Sequence, residues 1–135
     1  MSTQGSKAVI QGFFDHLAKG DLATASALMA PDMVYTLIGT GDLSGTFHGM
    51  EEIAAKLFGP LQERLEAPIR LKLKELIGEG DRVAALATGE AQGRFGPYNN
   101  TYCFVFTVKD GHIATLDEYL DTVLVETALY GRKLV

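Results

Sequence analysis

Residues 101–119 read TYCFVFTVKDGHIATLDEY and carry the clearest structural signal of the chain. Residues 101–108 are rich in β-branched and aromatic side chains, which is typical of a strand in the centre of a sheet. Residues 109–111 (KDG) predict a short hairpin turn, because glycine can adopt positive φ. Residues 112–119 supply the next strand. The stretch therefore predicts two antiparallel neighbours in the middle of a sheet.

Further strands are predicted on the N-terminal side of this hairpin. Residues 69–74 (IRLKLK) alternate apolar and basic side chains, the pattern of a strand with one wet face. A turn at 78–81 leads into a strand at 82–92, and a loop at 93–100 follows it. Residues 33–38 form an earlier run of strand length, which a glycine-rich loop at 39–49 ends.

Helical periodicity occupies the N-terminal part of the chain. Residues 6–19 place apolar side chains at helical spacing, residues 22–29 follow the capping residue Asp21, and a third helix is predicted at 50–65, disturbed at Gly59-Pro60. The residues after 119 form a tail with helical character. Three N-terminal helices packed on one face of a curved, mixed or antiparallel sheet predict an α+β fold. We expect one domain over residues 1–135.

Composition excludes several classes of function. The 135 residues contain 12 Lys plus Arg against 17 Asp plus Glu, a net charge of −5, so we expect neither nucleic-acid nor membrane partners. The single cysteine excludes an intramolecular disulfide and a cysteine-based zinc site. Three scattered histidines predict no metal site, and no cofactor is expected. Without a secretory or membrane-spanning pattern, the chain is expected to be cytoplasmic.

Five short motifs, in this order and spacing, extend over nearly the whole chain. They are AKGDL at 18–22, APDMVY at 30–35, GTFHG at 45–49, VKDGHI at 108–113 and EYLD at 118–121. Their arrangement resembles that of the nuclear-transport-factor-2-like superfamily, which includes SnoaL-like cyclases, ketosteroid isomerases and limonene-epoxide hydrolases. The resemblance implies a cone, in which a bent sheet and helices enclose a deep, mostly apolar internal pocket.

The resemblance also implies which strand faces line this pocket. The face of the last strand that carries Leu116 and Glu118 would look inwards, and alternation assigns the other strands accordingly. The carboxylates Glu118 and Glu90 and the phenol Tyr35 are the catalytic candidates. The substrate-binding candidates are Phe13, Phe14, Leu37, His48, Leu86, Thr88, Tyr102, Phe104 and Leu116. A shift of one residue reverses such an assignment, and the alanine- and glycine-rich strand at 82–92 specifies its register poorly.

A carboxyl group in an apolar pocket has a definite chemical use. Loss of water disfavours its charged form, so its pKa rises towards neutrality and the group can both accept and donate a proton. Two carboxyls in one site would divide these roles, one remaining ionised and the other protonated. Glu118 is therefore expected to be the principal acid/base, with Glu90 and Tyr35 assisting.

The catalytic sets of the characterised branches are incomplete in this chain. The catalytic Tyr, Asp and Asp of ketosteroid isomerases correspond to Phe13, a threonine (Thr36 or Thr40) and Phe104. The epoxide hydrolases have an Asp–Arg–Asp set with a Tyr and an Asn. Glu118, Glu90 and Tyr35 match the acidic and phenolic members, whereas Thr88 and Leu37 stand for the Arg and the Asn.

Three readings of the function follow. The first is a cofactor-independent acid/base enzyme (an isomerase, cyclase, hydratase or hydrolase) acting on a small hydrophobic molecule. The second is a non-catalytic protein of the same fold that binds a small ligand or a protein partner. The third is that the outer face of the sheet mainly serves homodimer formation, for which Ala85, Ala87, Gly89 and Ala91 are the expected outward set.

Overall fold

The first helix begins where the sequence supplies a capping side chain. The computed structural model describes residues 2–134, and α1 spans Thr3–Ala18. The Ser2 side chain accepts a hydrogen bond from the Gly5 amide at 3.0 Å, so the helix starts three residues earlier than the predicted Ser6. Helix α2 (Leu22–Ala27) is capped by Asp21, as predicted.

Residues 2–134 contain eight strands. They are β1 (Met29–Leu37), β2 (Gly45–His48), β3 (Arg70–Glu79), β4 (Arg82–Glu90), β5 (Gln92–Gly93), β6 (Gly96–Pro97), β7 (Thr101–Lys109) and β8 (His112–Leu120). Six of them form one sheet in the order β2-β1-β8-β7-β4-β3, and β5 pairs with β6. Strand β7 lies inside this sheet, as the 101–108 pattern predicts. Strands β1 and β8 pair in parallel, whereas the other neighbouring strands of the six-stranded sheet pair antiparallel.

The predicted α+β class is confirmed, and one short strand more than predicted lies between the second helix and the third. Strands β1 and β2 come between the second helix and the third, and β2 lies inside the predicted 39–49 loop. Gly45 begins this short strand and Gly49 follows it, both at positive φ. The glycines made the segment resemble a loop, whereas it forms a β-hairpin with β1.

The third helical segment continues through Gly59-Pro60 by changing its hydrogen bonding. It consists of α3 (Met50–Ile53), a π-helical turn (Ala54–Phe58) and α4 (Gly59–Glu63). Pro60 has no amide hydrogen and cannot donate a helical hydrogen bond. The amide of Gly59, the residue before it, donates to the carbonyl of Ala54, five residues back, which is the pattern of a π-helical turn. The predicted disturbance at this site is therefore a widened turn, and it places Phe58 against the sheet.

The core lies between the helices and the concave face of the sheet. Helix α1 packs on β3, β4 and β7, and its Phe13 and Phe14 rings contact Phe104 and Phe106 of β7. Helix α5 (Thr122–Leu124) and a second π-helical turn (Val125–Leu129) close one end and bury Leu129. Among residues 2–134, no helix is long and apolar enough to cross a membrane.

Candidate active site

The centre of the site is a hydrogen bond between the two parallel strands. Leu37 of β1 is paired with Glu118 of β8, and Tyr35 lies two residues earlier on the same inward face. The Tyr35 hydroxyl donates to Oε1 of Glu118. Glu118 is 7% exposed and Tyr35 is 6% exposed, so this bond forms away from bulk water. The predicted inward orientation of both residues is confirmed.

Burial sets the acidity of Glu118. Among residues 2–134 the buried polar or charged residues are Ser6, Asn100 and Glu118, and no buried cation accompanies the carboxylate. Loss of water raises the pKa of Glu118 to about 7, although the hydrogen bond from Tyr35 lowers it. Burial also raises the pKa of Tyr35 well above its ordinary value, so this phenol remains a donor. Near neutral pH, Glu118 is therefore populated in both protonation states.

Aromatic rings form the walls around the pair. Phe104 is the cross-strand partner of Glu118, and its ring stacks on Tyr102 at 5.0 Å. From α1, Phe14 packs 6.0 Å from Phe104. From the π-helical turn, Phe58 packs edge-on against Tyr35 at 5.9 Å. These rings supply an apolar surround that keeps water from Glu118.

The α1 and strand residues predicted to line the interior are found there. Phe13, Phe14, Leu37, Tyr102, Phe104 and Leu116 are all buried on the inner side. They are positioned by helical spacing on α1 and by twofold alternation on β1, β7 and β8.

The predicted orientation of β4 is wrong. Its buried residues are Val83, Ala85, Ala87 and Gly89, so Leu86, Thr88 and Glu90 point to the outer face. Ala85 pairs with Phe104 and Ala87 with Tyr102, because the small residues leave room for the large rings inside. The inward assignment of Leu86 followed the strand face implied by the resemblance, on a strand whose alanine- and glycine-rich sequence specifies its register poorly.

Glu90 accordingly lies outside the site. Its carboxylate accepts a hydrogen bond from the Arg70 guanidinium at 3.2 Å, and both side chains are largely exposed. An exposed ion pair of this kind is solvated and does not share a pocket with Glu118. Within residues 2–134 there is thus one interior carboxylate, Glu118, rather than the predicted two.

His48 does not reach the interior either. It lies on the edge strand β2, opposite Val34, and is exposed on the outer side of the sheet, whereas its neighbour Phe47 points inwards opposite Tyr35. The prediction that His48 contacts a ligand at the mouth of the cone placed it on a loop, where alternation does not apply. Because His48 lies on strand β2, alternation directs its side chain to the outer face of the sheet.

Three contributors to the site were not predicted from the sequence. Phe58 was assigned to a helix without a role, and Tyr98 and Asn100 were assigned to a loop. The Asn100 amide donates to the Tyr98 hydroxyl at 3.2 Å and to the Asp121 carbonyl at 3.1 Å. Burial raises the pKa of Tyr98 to about 12. A loop sequence has no periodicity from which burial can be predicted. The burial of these residues is therefore seen only in the structure, where Asn100 bonds to the Asp121 carbonyl.

A cavity of about 520 Å³ opens beside the site. It is lined by Leu17, Phe58, Leu61, Gln62, Leu65, Glu66, Ala67, Pro68 and Ile69. Phe58 separates this cavity from Tyr35, which its ring contacts. Glu118 is not part of the lining, because side chains fill the interior between the cavity and the carboxylate. Phe58 lines this cavity, whereas Tyr35 and Glu118 do not.

A second depression, of about 710 Å³, lies on the outside between α1 and β3. Its lining alternates charged and apolar residues of both elements and includes the lysines at 7, 72 and 74. Among residues 2–134, no three His, Cys, Asp or Glu side chains come together in a way that could hold a metal ion.

Residues 10–116 match the family model described as SnoaL-like domain, and the chain belongs to this family. No curated protein matches it.

Solved structures agree with this family in fold. An NTF2-like protein from Burkholderia xenovorans LB400 is 25% identical, with a TM-score of 0.74 over 96% of this chain and 98% of that one. TerC, co-crystallised with polyporic acid, is 22% identical, with a TM-score of 0.80 over 93% and 98%. An epoxide hydrolase of M. tuberculosis described as LEH-like is 22% identical, with a TM-score of 0.71 over 96% and 92%. The chain therefore has the NTF2-like cone fold.

Proposed function

We propose that the chain is a cofactor-independent acid/base enzyme that transfers protons on a small hydrophobic substrate. The observation that carries the proposal is the single interior carboxyl, Glu118, which is buried without a cation and bonded to Tyr35. The pKa of about 7 lets this group act as base and acid within one turnover. Isomerases, cyclases, hydratases and hydrolases all need such a step.

The chemistry available to the pair is proton abstraction next to a carbonyl. The Glu118 carboxylate would accept a proton from carbon, and the electrons of the broken C–H bond would move to the carbonyl oxygen. The same carboxyl would then return the proton to carbon or oxygen. Tyr35, whose pKa is raised well above 10, would stay protonated and would hold Oε1 in place throughout. The aromatic walls suit an apolar substrate.

Two structural neighbours support the small-molecule part of the proposal. One was co-crystallised with polyporic acid, and another is described as an epoxide hydrolase. At 22% identity each shows a shared fold, and the reaction of this chain is argued from its own residues. The epoxide-hydrolase set compared above has an Arg where this chain has Thr88, and Thr88 lies on the outer face of β4.

The test is proton exchange on an apolar ketone. Incubation of the protein with 1-tetralone in deuterated buffer is followed by the loss of the C2 proton signal in NMR spectra. We expect the wild type to accelerate exchange at least tenfold over Glu118→Gln, which keeps the shape and removes the proton-transfer group. Glu90→Gln is the matched control and should exchange like the wild type. Equal rates for wild type and Glu118→Gln would remove Glu118 from the mechanism.

A non-catalytic binding protein of the same fold is the alternative. The observation in its favour is that Phe58 stands between the 520 Å³ cavity and Tyr35, so a ligand could occupy the cavity without meeting Glu118. Binding of 1-tetralone without any exchange above the Glu118→Gln background would favour this alternative. Under either reading a cytoplasmic location remains a prediction from the sequence.

A homodimer through the outer sheet face is part of the proposal. The outward set is not the predicted one, because Ala85, Ala87 and Gly89 are buried inside. The outer face instead presents Ile77 and Tyr119, which are 54% and 46% exposed, around the half-buried Leu86 and Cys103. This apolar surface would be shielded from water by a second copy of the chain.

A further inference from the structure

Phe58 lies between the 520 Å³ cavity and the pair formed by Tyr35 and Glu118. It is the one aromatic residue in the lining of that cavity. Its ring also lies edge-on to the ring of Tyr35, with 5.9 Å between the centroids and 85° between the planes. Tyr35 in turn donates its hydroxyl hydrogen to Glu118. One side chain therefore borders the cavity and also contacts the proton-transfer pair.

The lining of the cavity indicates the chemistry of a ligand. All of its residues are apolar except Gln62 and Glu66, whose side chains are exposed. Among the described residues that form the lining there is no lysine, arginine or histidine, so an anionic ligand would find no countercharge. The volume of about 520 Å³ is within the range of small-molecule sites. The cavity therefore suits an uncharged, largely apolar molecule.

A ligand in this cavity is not yet in contact with the proton-transfer group. Neither Tyr35 nor Glu118 belongs to the lining, and both are buried. Proton transfer requires the reacting atom to come within hydrogen-bonding distance of the carboxyl group. On this side of the pair the ring of Phe58 occupies the intervening space. Chemistry on a ligand held in the cavity therefore requires this ring to move.

The surroundings of Phe58 permit such a movement. The residue is half-buried, and beside its contact with Tyr35 it borders the open cavity, into which the ring can turn. It also ends the π-helical turn, in which the amide of Gly59 donates to the carbonyl of Ala54. An α-helical bond to Ala55 instead would rotate Phe58 about the helix axis, and turns of this kind are frequent at functional sites.

We infer that Phe58 is the specificity-determining residue of the site: its ring moves to admit an uncharged, apolar ligand from the cavity to Tyr35 and Glu118, and it excludes bulkier molecules. The inference rests on the proposed function for the presence of a ligand at Glu118. It goes further by naming the residue that selects the ligand and the property, size, by which it selects. A flat molecule that fits beside the turned ring reaches the carboxyl group, whereas a larger ring system stays in the cavity.

The first arm of the test measures the acidity of Glu118 without a ligand. Phe58→Ala removes the ring beside Tyr35 and lets water approach the pair, so the pKa of Glu118 should fall from about 7 by about one pH unit. Leu61→Ala is the matched control, because it enlarges the same cavity and leaves the ring of Phe58 on Tyr35. It should leave this pKa unchanged. NMR titration of the ¹³C-labelled glutamate carboxyl measures both variants.

A milder substitution keeps this arm decisive. Phe58→Leu retains more apolar volume in the core and should lower the pKa of Glu118 in the same direction by a smaller amount, whether or not Phe58→Ala folds. A pKa of Glu118 that stays at its wild-type value in the folded Phe58 variants would overturn the inference.

The second arm asks which ligands reach the carboxyl group. The probes are 1-tetralone and its larger benzo-fused analogue, and the readout is the NMR signal of the labelled Glu118 carboxyl. In the wild type, 1-tetralone should shift this signal at about tenfold lower concentration than the analogue, and Phe58→Ala should bring the two concentrations close together. Phe95→Ala makes the same change at a phenylalanine that is 59% exposed and lines neither cavity, and it should keep the wild-type ratio.

The outcomes distinguish this inference from the proposed function. No response of the Glu118 signal to 1-tetralone in the wild type, or an unchanged ratio in Phe58→Ala, would overturn the inference. Size selection that depends on Phe58, without Glu118-dependent proton exchange, would retain the role of Phe58 and remove the enzymatic one. Exchange that depends on Glu118, with the same size preference in wild type and Phe58→Ala, would do the reverse.

Discussion

The Tyr35 hydroxyl and the Glu118 carboxylate meet across the one parallel pair of the six-stranded sheet. The two residues are 83 positions apart in sequence, and both are buried. The apolar environment of the pair favours the protonated form of Glu118, whereas the hydrogen bond from Tyr35 favours its carboxylate form. The acidity of Glu118 is the balance of these two effects, and this balance gives the site its measurable properties.

Stability should depend on pH through Glu118. Its pKa is 4.5 when unperturbed and about 7 in the fold, so the folded state binds the proton more tightly. The resulting stabilisation is fully present below pH 4.5 and is lost as the pH rises towards 7. Relative to wild type, Glu118→Gln should gain about 3 kcal/mol in free energy of unfolding between pH 4 and pH 8. Urea titrations at several pH values measure this difference.

The control for this experiment is Glu90→Gln, whose parent side chain is solvated and paired with Arg70. It should track the wild type to within about 0.5 kcal/mol at every pH. A Glu118→Gln difference that stays constant with pH would mean that Glu118 has an ordinary acidity.

Removal of the Tyr35 hydroxyl should make Glu118 a weaker acid. The hydrogen bond from Tyr35 lowers the pKa of Glu118, so Tyr35→Phe should move this pKa above 7. Loss of the bond should also reduce the free energy of unfolding at pH 8 by about 1–3 kcal/mol. NMR titration of the ¹³C-labelled glutamate carboxyl follows the pKa directly. Tyr119→Phe, at an exposed phenol, serves as the control, and a pKa that falls in Tyr35→Phe would refute the assigned direction.

Two glycines should respond oppositely to alanine. An added Cβ at Gly93 would lie 2.6 Å from the backbone carbonyl of Ala128, where nothing can give way cheaply. Gly93→Ala should therefore lower the free energy of unfolding by about 1–3 kcal/mol. Gly12 lies inside α1 with open space around it, and Gly12→Ala should raise that energy by about 0.5–1 kcal/mol. Urea denaturation of both variants measures the effect, and a destabilised Gly12→Ala would contradict the packing described for α1.

The outer sheet face should control association. We expect the wild type to sediment as a dimer at micromolar concentration, and Tyr119→Lys combined with Ile77→Lys to sediment as a folded monomer. Two lysines on this exposed apolar surface would leave charges to be buried between copies. Val123→Lys, at a residue 48% exposed on α5, is the matched control and should stay dimeric. A wild type that sediments as a monomer would contradict the proposed interface.

Much of the fold could be predicted because its strongest signals are local. The β-branched run at 101–108, the KDG turn and the apolar stripe of α1 each specify an element without help from distant residues. Inward alternation on β1, β7 and β8 then placed Tyr35, Phe104 and Glu118 correctly. The inward face of β8 was taken from the resemblance to the superfamily, and twofold alternation extended that choice to the neighbouring residues of each strand.

The errors occur where the decisive information is not local. On β4 the inner face carries alanine and glycine because Phe104 and Tyr102 on the neighbouring strand fill the space opposite them. A single strand read by itself assigns the larger Leu86 to the interior. The position of Phe58 depends similarly on the widened turn. Gly59 suits this turn, because a Cβ added there would lie only 3.2 Å from the Ala54 carbonyl. Neither the fit of β4 against β7 nor the position of Phe58 can be predicted from one segment of sequence alone.

The parallel pairing of β1 with β8 also bears on how the chain acquires its shape during synthesis. Met33, Tyr35 and Leu37 leave the ribosome long before residues 112–120 exist, so their final neighbour is missing while most of the chain is made. Strand β2 can cover one edge of β1 during this time, but the edge that faces β8 stays open to contacts with other nascent chains, and closing so long a loop is slow. The hydrogen bond between Tyr35 and Glu118 is consequently among the last contacts to form, because it needs a residue near the end of the chain.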